Sequence, residues 1–466
     1  MSMLSVCVMM ASFGVADGSV SERLYYDGLD ANGNLVGGFI DIPIAPHRHG
    51  HYATRGGYET IWGSGPSSNR IDLVIVGDGY TAGELATYES QANATVQAIF
   101  SHEPFASYGG LFLAHRVDVV SNESGVDNDP TNGIDRDTAM DMKFWCNDIE
   151  RLLCVNVSKA IGFANAAPGR EQVLAIANST KYGGAGYSSS NLGTVSGGNG
   201  SAYQVAIHEL GHSFGDLADE YDYGGGSNYP GGEPSAANVS TLTAAEMATA
   251  GTKWASWLGF NDPQWDGLVD TFEGAAYYTT GIYRPTSNSM MRALGRPFNP
   301  PSVEAMVLEM YSIVDPLDDW TSTGLVLDGS ETVLAQPVEP GGHALDIQWS
   351  LDGVAIAGQA SATIDLSQVA ITPGSHTLSV HVVDSTSWVR DETARAALMT
   401  RDLSWQVDAV DQCPADLDGS GEVNVDDLLA IIGVYGTNDP SGDANSDGVV
   451  DTNDVLAVLA AWGSCG

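Results

Sequence analysis

One stretch constrains this chain more than any other: Ala206-Ile-His-Glu-Leu-Gly-His-Ser-Phe-Gly-Asp-Leu-Ala-Asp-Glu-Tyr221. It spells His-Glu-x-x-His at His208, Glu209 and His212. Residues four apart on a helix share a face, so both imidazoles can reach one cation. Glu209 stands beside them, placed to take a proton from a metal-bound water. With 10 histidines in 466 residues, a chance match is expected on the order of 0.01 times per chain. The neighbours fit a packed helix. Val205, Ile207 and Leu210 are apolar, Gly211 allows close approach, and Gly215 marks a break soon after His212. A catalytic zinc needs a third protein ligand and an open position for water. Asp219 is the expected ligand, with Asp216 and Glu220 as close competitors. A glutamate from a second helix would be Glu233 or Glu246, and Glu246 is the better placed of the two.

Charge narrows the partners. Lys+Arg number 18 against 59 Asp+Glu, a net charge of -41. Nucleic acid and anionic membranes call for a basic surface, so neither is expected. No later run of 18 apolar residues exists to span a bilayer. The apolar run Met3–Ala11 and the small residues Gly14-Val15-Ala16 read as a secretory signal over 1–16, so a secreted or cell-surface protein, and a monomer, is expected. Cys7 leaves with that signal, and Cys146, Cys154, Cys413 and Cys465 remain, an even number that suggests two disulfides in an exported chain. Cys146 and Cys154 would sit about 12 Å apart on one unbroken helix, too far to bridge. Either the helix breaks between them or each stays unpaired; the bridge is the expectation.

Further along the chain, residues 17–68 read as a β-rich leader or prosegment, with His47, His49 and His51 in a solvated loop. Residues 69–320 read as the catalytic domain. Arg70–Gly77 is a buried strand; Thr81 and Glu84 form a capping box for a helix running to about Phe100. Leu111–Val120, Val173–Ala177 and Gly193–Ser196 are further strands, and residues 138–167 are helical in tone. An edge strand just before the ligand helix could pair with an extended substrate through its backbone. Trp254, Trp257 and Trp265 are expected to fill a core, and Ser302–Val314 reads as a closing helix. Residues 325–410 change to short alternating strands separated by Gly, Pro and Asp turns, the pattern of an Ig-like β-sandwich.

Residues 413–466 hold a repeat. Asp416, Asp418, Ser420, Asn424 and Asp427 align with Asp443, Asn445, Asp447, Asp451 and Asp454 at positions 1, 3, 5, 9 and 12 of two loops, each with Gly at position 6. That is an EF-hand-type calcium loop, used twice, so about two structural Ca2+ ions are expected. An apolar helix follows each loop. Cys413 and Cys465 flank the unit and are expected to clasp its ends. So small a unit buries little core and would be stabilised by calcium and a disulfide.

With these residues in hand, residues of about 70–315 resemble the IgA-peptidase family of zinc metallopeptidases, a metzincin-like group. The landmarks are Asp72-Leu-Val-Ile-Val-Gly-Asp-Gly-Tyr80, Glu103-Pro-Phe105, Ser121-Asn-Glu-Ser-Gly125, Asn178-Ser179, Tyr182-Gly-Gly-Ala-Gly186, and His208-Glu-Leu-Gly-His212 through Asp219-Glu-Tyr221. The resemblance implies one catalytic Zn2+ on two histidines and an acidic third ligand, with Glu209 as general base. It implies a methionine turn beneath the metal, for which Met291 is the candidate, followed by Met290. Tyr221 and Tyr283 are candidates to steady an oxyanion. Ser289 departs from the cysteine expected in many relatives. Residues 413–465 resemble a type I dockerin, which implies a cohesin-like partner and an association with polysaccharide catabolism.

The expected whole is a multidomain chain: an α/β (α+β) metzincin-like zinc peptidase domain, an Ig-like β-sandwich, and a small α-helical EF-hand-type dockerin-like domain. The expected activity is secreted, zinc-dependent endopeptidase action on protein or peptide. The rival is a non-catalytic extracellular adhesion or scaffold protein with a relic zinc site, against which the intact His-Glu-His set argues. A carbohydrate-active enzyme, suggested by the dockerin-like tail alone, finds no standout carboxylate pair.

Overall fold

A computed structural model describes residues 21–29, 35–43, 52–222, 224, 226–409 and 413–464. The expected signal over 1–16, His47, His49 and His51, and Cys465 of the expected Cys413–Cys465 clasp lie outside these residues. The described residues form two compact units, the first drawn from those up to Pro316 together with Val338–Leu345 and Val383–Thr400, the second from the remaining described residues. Among the described residues no helix is long and apolar enough to cross a membrane.

The first unit is built on an eight-stranded sheet. Its strands are β1 (Ser21–Leu29), β2 (Leu35–Pro43), β4 (Glu59–Trp62), β5 (Ile71–Asp78), β6 (Phe112–Val117), β8 (Gln172–Ala177), β9 (Gly184–Tyr187) and β10 (Leu192–Ser196), while β3 (Ala53–Thr54) and β7 (Val119–Val120) form a separate short ladder. Across the sheet the order is β2-β1-β9-β10-β8-β5-β6-β4. β10, β8, β5 and β6 run parallel, and β9, β1, β2 and β4 join antiparallel. Parallel strands covered on both faces read as continuous apolar runs, and β5 is buried at every residue. Helix α1 (Leu85–Ile99) packs beside α3 (Ala202–Ser213), which lies on β9 and β10, while α2 (Val157–Ala164) packs against β5 and β8.

Two expectations about helices need correction. Thr81 does meet Glu84, its N–H and hydroxyl donating to Glu84 Oε2 at 2.9 and 2.7 Å. Those residues form a turn, however, and α1 starts only at Leu85. Residues 138–156 are not helical; only Val157–Ala164 is. The backbone N–H groups of Met140 and Met142 go to the buried Asp78 carboxylate at 3.0 and 2.9 Å, which removes them from any helical ladder. Asp141, Trp145, Asn147 and Asp148 take positive φ of 50–62°. In this broken segment Cys146 and Cys154 are joined, with Cα atoms 6.0 Å apart.

The rest of the unit comprises α4 (Ala244–Ala250), the short ladder of β11 (Asn261–Asp262) and β12 (Gly267–Leu268), the hairpin of β13 (Phe272–Ala275) and β14 (Tyr278–Arg284), α5 (Pro300–Ile313) and α6 (Glu392–Leu398). Trp254, Trp257 and Trp265 are buried, the first two in one core cluster with Met247 and Val269. Buried Asp384 explains why Val338–Leu345 and Val383–Thr400 sit in this unit. It accepts from the hydroxyls of Tyr108 and Tyr311 at 3.0 and 2.9 Å and lies 2.9 Å from His343 Nε2.

The second unit contains a three-stranded sheet (Leu317–Trp320, Thr332–Pro337, Thr363–Asp365) and a five-stranded sheet (Val326–Leu327, Asp346–Leu351, Val354–Ala355, Gly374–Val383, Thr400–Ala409). Trp349 and Trp405 are buried and stacked at 5.8 Å. At the end of the chain, α7 (Val425–Val434) and α8 (Thr452–Ala460) share a small core of Ala415, Val423, Ile431, Ala444, Val450 and Val458.

Candidate metal centre

Every residue of α3 from Val205 to Ser213 is buried, so this helix is internal and carries its polar side chains into a closed space. Two close approaches fix its position. A Cβ on Gly211 would stand 2.5 Å from Met291 Sδ, and one on Gly186 would stand 2.7 Å from Glu209 Oε2. Met291 therefore lies under the helix, and the β9 backbone lies against the Glu209 carboxylate. Side chains at these glycines would push either neighbour away.

The two imidazoles are oriented from behind. His208 Nδ1 lies 2.9 Å from Met290 O, and His212 Nδ1 lies 2.7 Å from Leu217 O. A carbonyl only accepts, so each Nδ1 carries the proton and each Nε2 presents a lone pair. Those Nε2 atoms are 3.2 Å apart. Asp219 Oδ1 completes a triangle, 3.3 Å from each. It is a buried oxygen that accepts no hydrogen bond. Three electron-rich atoms thus face one another at van der Waals distance with no proton between them. Such a set is repulsive alone and is relieved by a cation at its centre.

The competitors of Asp219 are engaged elsewhere. Buried Glu220 accepts from Asn238 Nδ2 (2.9 Å), Asn299 Nδ2 (2.7 Å) and Ser289 Oγ (2.7 Å). Its own N–H donates to Met291 O at 2.8 Å, so with Ser289, the position where a cysteine was expected, it ties the Asp219 loop to the turn that holds Met291. Asp216 takes φ 47° and lines a cavity of about 390 Å3 beside His212 with Glu309. Glu233 accepts from Ser240 and Thr241, and Glu246 closes the capping box of α4.

Sequence reasoning missed Tyr277. Its hydroxyl donates to Asp219 Oδ2, the oxygen turned away from the imidazoles. Tyr277 and Ala276 form the β13–β14 turn at φ 75° and 46°, and their N–H groups donate to Tyr221 O at 3.0 Å and Asp219 O at 2.9 Å. Left-handed backbone at two residues without glycine or asparagine is costly. Neither composition nor periodicity marks it. Of the two tyrosines named from sequence, Tyr221 is buried with its ring 5.5 Å from that of Tyr277, and Tyr283 lies on β14 with its backbone paired to Ser240. Second partners of this kind orient metal ligands, and their loss costs about 10–100-fold in metal affinity. Tyr277→Phe is expected to weaken metal binding to that extent, read by competition with a chromogenic chelator, with the circular dichroism of the fold unchanged.

The acidic tail loops fold as a repeat. Asp416 accepts the N–H groups of Ser420 and Gly421 at 3.0 and 2.7 Å, and Asp443 those of Asp447 and Gly448 at 3.0 and 2.8 Å. Asn424 with Asp427 and Asp451 with Asp454 cap α7 and α8. Asp416, Asp418 and Asp427 each offer an oxygen, all within 4.8 Å of one another. Among the described residues the second loop, with Asn445 at its third position, makes no such carboxylate group.

No curated protein matches the chain. Residues 60–267, which span the sheet from β5 to β10 and the whole of α3, match the family model described as IgA Peptidase M64. The match supports a peptidase family for this region, acting on protein or peptide and suggesting a bound metal that the group His208, His212 and Asp219 could hold.

Proposed function

We propose that this chain is a secreted zinc-dependent endopeptidase, with His208, His212 and Asp219 holding one zinc ion and Glu209 acting as general base. The observation that carries the reading is the triangle of donor atoms. Ligands about 2.0–2.1 Å from a tetrahedral zinc stand about 3.3–3.4 Å from one another. The three separations here are 3.2, 3.3 and 3.3 Å. Three protein ligands leave one position for water, the pattern of a catalytic rather than a structural site. When bound, zinc supplies a Lewis acid that polarises the scissile carbonyl and makes water a nucleophile at neutral pH. Glu209, one residue along from His208, takes the proton from the attacking water and returns it to the leaving amine nitrogen. The closed, buried surroundings of Glu209 strengthen each electrostatic contact made there.

In the tail, the same proposal assigns calcium to the loops of Asp416 and Asp443 and a cohesin-like partner to the helices behind them. Leu429, Ile432, Leu456 and Leu459 stay exposed on α7 and α8, an apolar surface on a unit with little core.

The test uses the full chain. Metal analysis after dialysis is expected to find one zinc, and 1,10-phenanthroline is expected to abolish casein cleavage, with recovery on adding zinc. A chain that retains no zinc, or cleaves undiminished under chelation, overturns the proposal and leaves the adhesion or scaffold reading.

A further inference from the structure

The candidate site is covered. His208, Glu209, His212 and Asp219 are 0, 0, 1 and 1% exposed, whereas a peptidase must bring a substrate carbonyl to these groups. The cover is the N-terminal hairpin. One edge of β9 pairs with β10 and the other with β1, antiparallel, matching Leu24 with Tyr187 and Tyr25 with Gly186. Gly186 is the residue whose backbone presses on Glu209, so β1 runs past the general base itself. The Tyr25 ring stacks on the His212 imidazole at 4.6 Å and 11°. Across the hairpin from Tyr25, Phe39 lies 5.9 Å from Tyr277, the residue that holds Asp219. The Arg23 guanidinium sits 4.4 Å from the Phe39 ring and pairs with Asp41 at 2.9 Å.

We infer that the β1–β2 hairpin is a built-in occupant of the place where an extended substrate would add to β9, and that it keeps the site latent until it withdraws. The inference rests on the peptidase reading above. An extended chain added to an exposed sheet edge is held by backbone hydrogen bonds with side chains in flanking sites, and β1 has both: the ladder to β9 and Tyr25 on His212. The hairpin is also built to leave in one piece. β1 and β2 share nine residue pairs, but β1 and β9 share two, so withdrawal breaks little of the hairpin's own pairing.

The test compares three full-length, zinc-loaded chains: wild type, Arg23→Ala, and Tyr25→Ala/Phe39→Ala. Arg23 is solvent-exposed, so its replacement guards against a variant that merely misfolds. Two rates are read, withdrawal of zinc by a chelator and hydrolysis of casein. Both scale with the open fraction, so the double variant is expected to exceed wild type by about tenfold or more in each, with Arg23→Ala between them. Equal zinc withdrawal and equal hydrolysis in three chains that all hold zinc would overturn latency and leave the peptidase reading intact. Failure of all three to hold zinc would overturn that reading, and this inference with it.

Discussion

Glu209→Gln is expected to retain zinc at the wild-type level and to cleave casein about 10²–10⁴ times more slowly, the range that general acid–base catalysis supplies. The substitution keeps the shape of the side chain, which matters because the carboxylate lies against the glycine backbones of β9, where a Cβ on Gly186 would stand 2.7 Å from Oε2. It also spares His208 Nε2, His212 Nε2 and Asp219 Oδ1, the three atoms of the metal triangle. What it removes is an oxygen able to accept and return a proton. The measurement pairs metal analysis with initial rates on the same preparation. Full activity in a zinc-loaded variant would remove Glu209 from the reaction.

The parts of this site that sequence made legible are local. His208 and His212 lie one helical turn apart, so their common face follows from spacing alone. The apolar runs that became β5, β6 and β8 are equally local, since a strand covered on both faces needs no partner to declare itself. The proposed third ligand is different. Asp216, Asp219 and Glu220 all follow the end of α3, where the chain leaves helical geometry and Asp216 takes φ 47°. Residue spacing no longer reports direction there, and only the backbone path separates an inward Asp219 from a Glu220 held by Asn238, Asn299 and Ser289.

Long-range pairing was the other blind spot. Residues 17–68 read from sequence as a β-rich leader or prosegment, and nothing in that reading pairs Tyr25 with Gly186 and His212, because strand partners distant in sequence leave no local trace. Tyr277 reached Asp219 for the same reason, from a turn that lacks the usual turn residues. The 138–156 segment misled in the opposite way. Its apolar tone reflects burial against the sheet, while Asp78 takes the N–H groups that a helix would have used.

Asp219→Asn separates the three acidic neighbours. Structural zinc sites with four protein ligands bind with about 10–16 kcal/mol, which is about 3 kcal/mol, or about a hundredfold in affinity, for each ligand. Asparagine keeps the size of the side chain and an oxygen acceptor but loses the charge that balances the cation, so a loss of at least that order is expected, together with most of the activity. Ligand-linked stability scales with the logarithm of metal concentration over its dissociation constant. The rise in melting temperature on adding zinc should therefore shrink in Asp219→Asn, while the zinc-free protein still melts cooperatively. Asp216→Asn changes a residue that lines the neighbouring cavity and should leave zinc affinity as it is. Glu220→Gln should do the reverse of Asp219→Asn. It presents a donor to a pocket of donors from Asn238, Asn299 and Ser289, which costs about 1–3 kcal/mol for each buried group left unmet and lowers the melting temperature with or without metal. Calorimetric scans of the three variants at several zinc concentrations read both effects at once. A zinc-dependent shift that survives in Asp219→Asn but vanishes in Asp216→Asn would move the third ligand to Asp216.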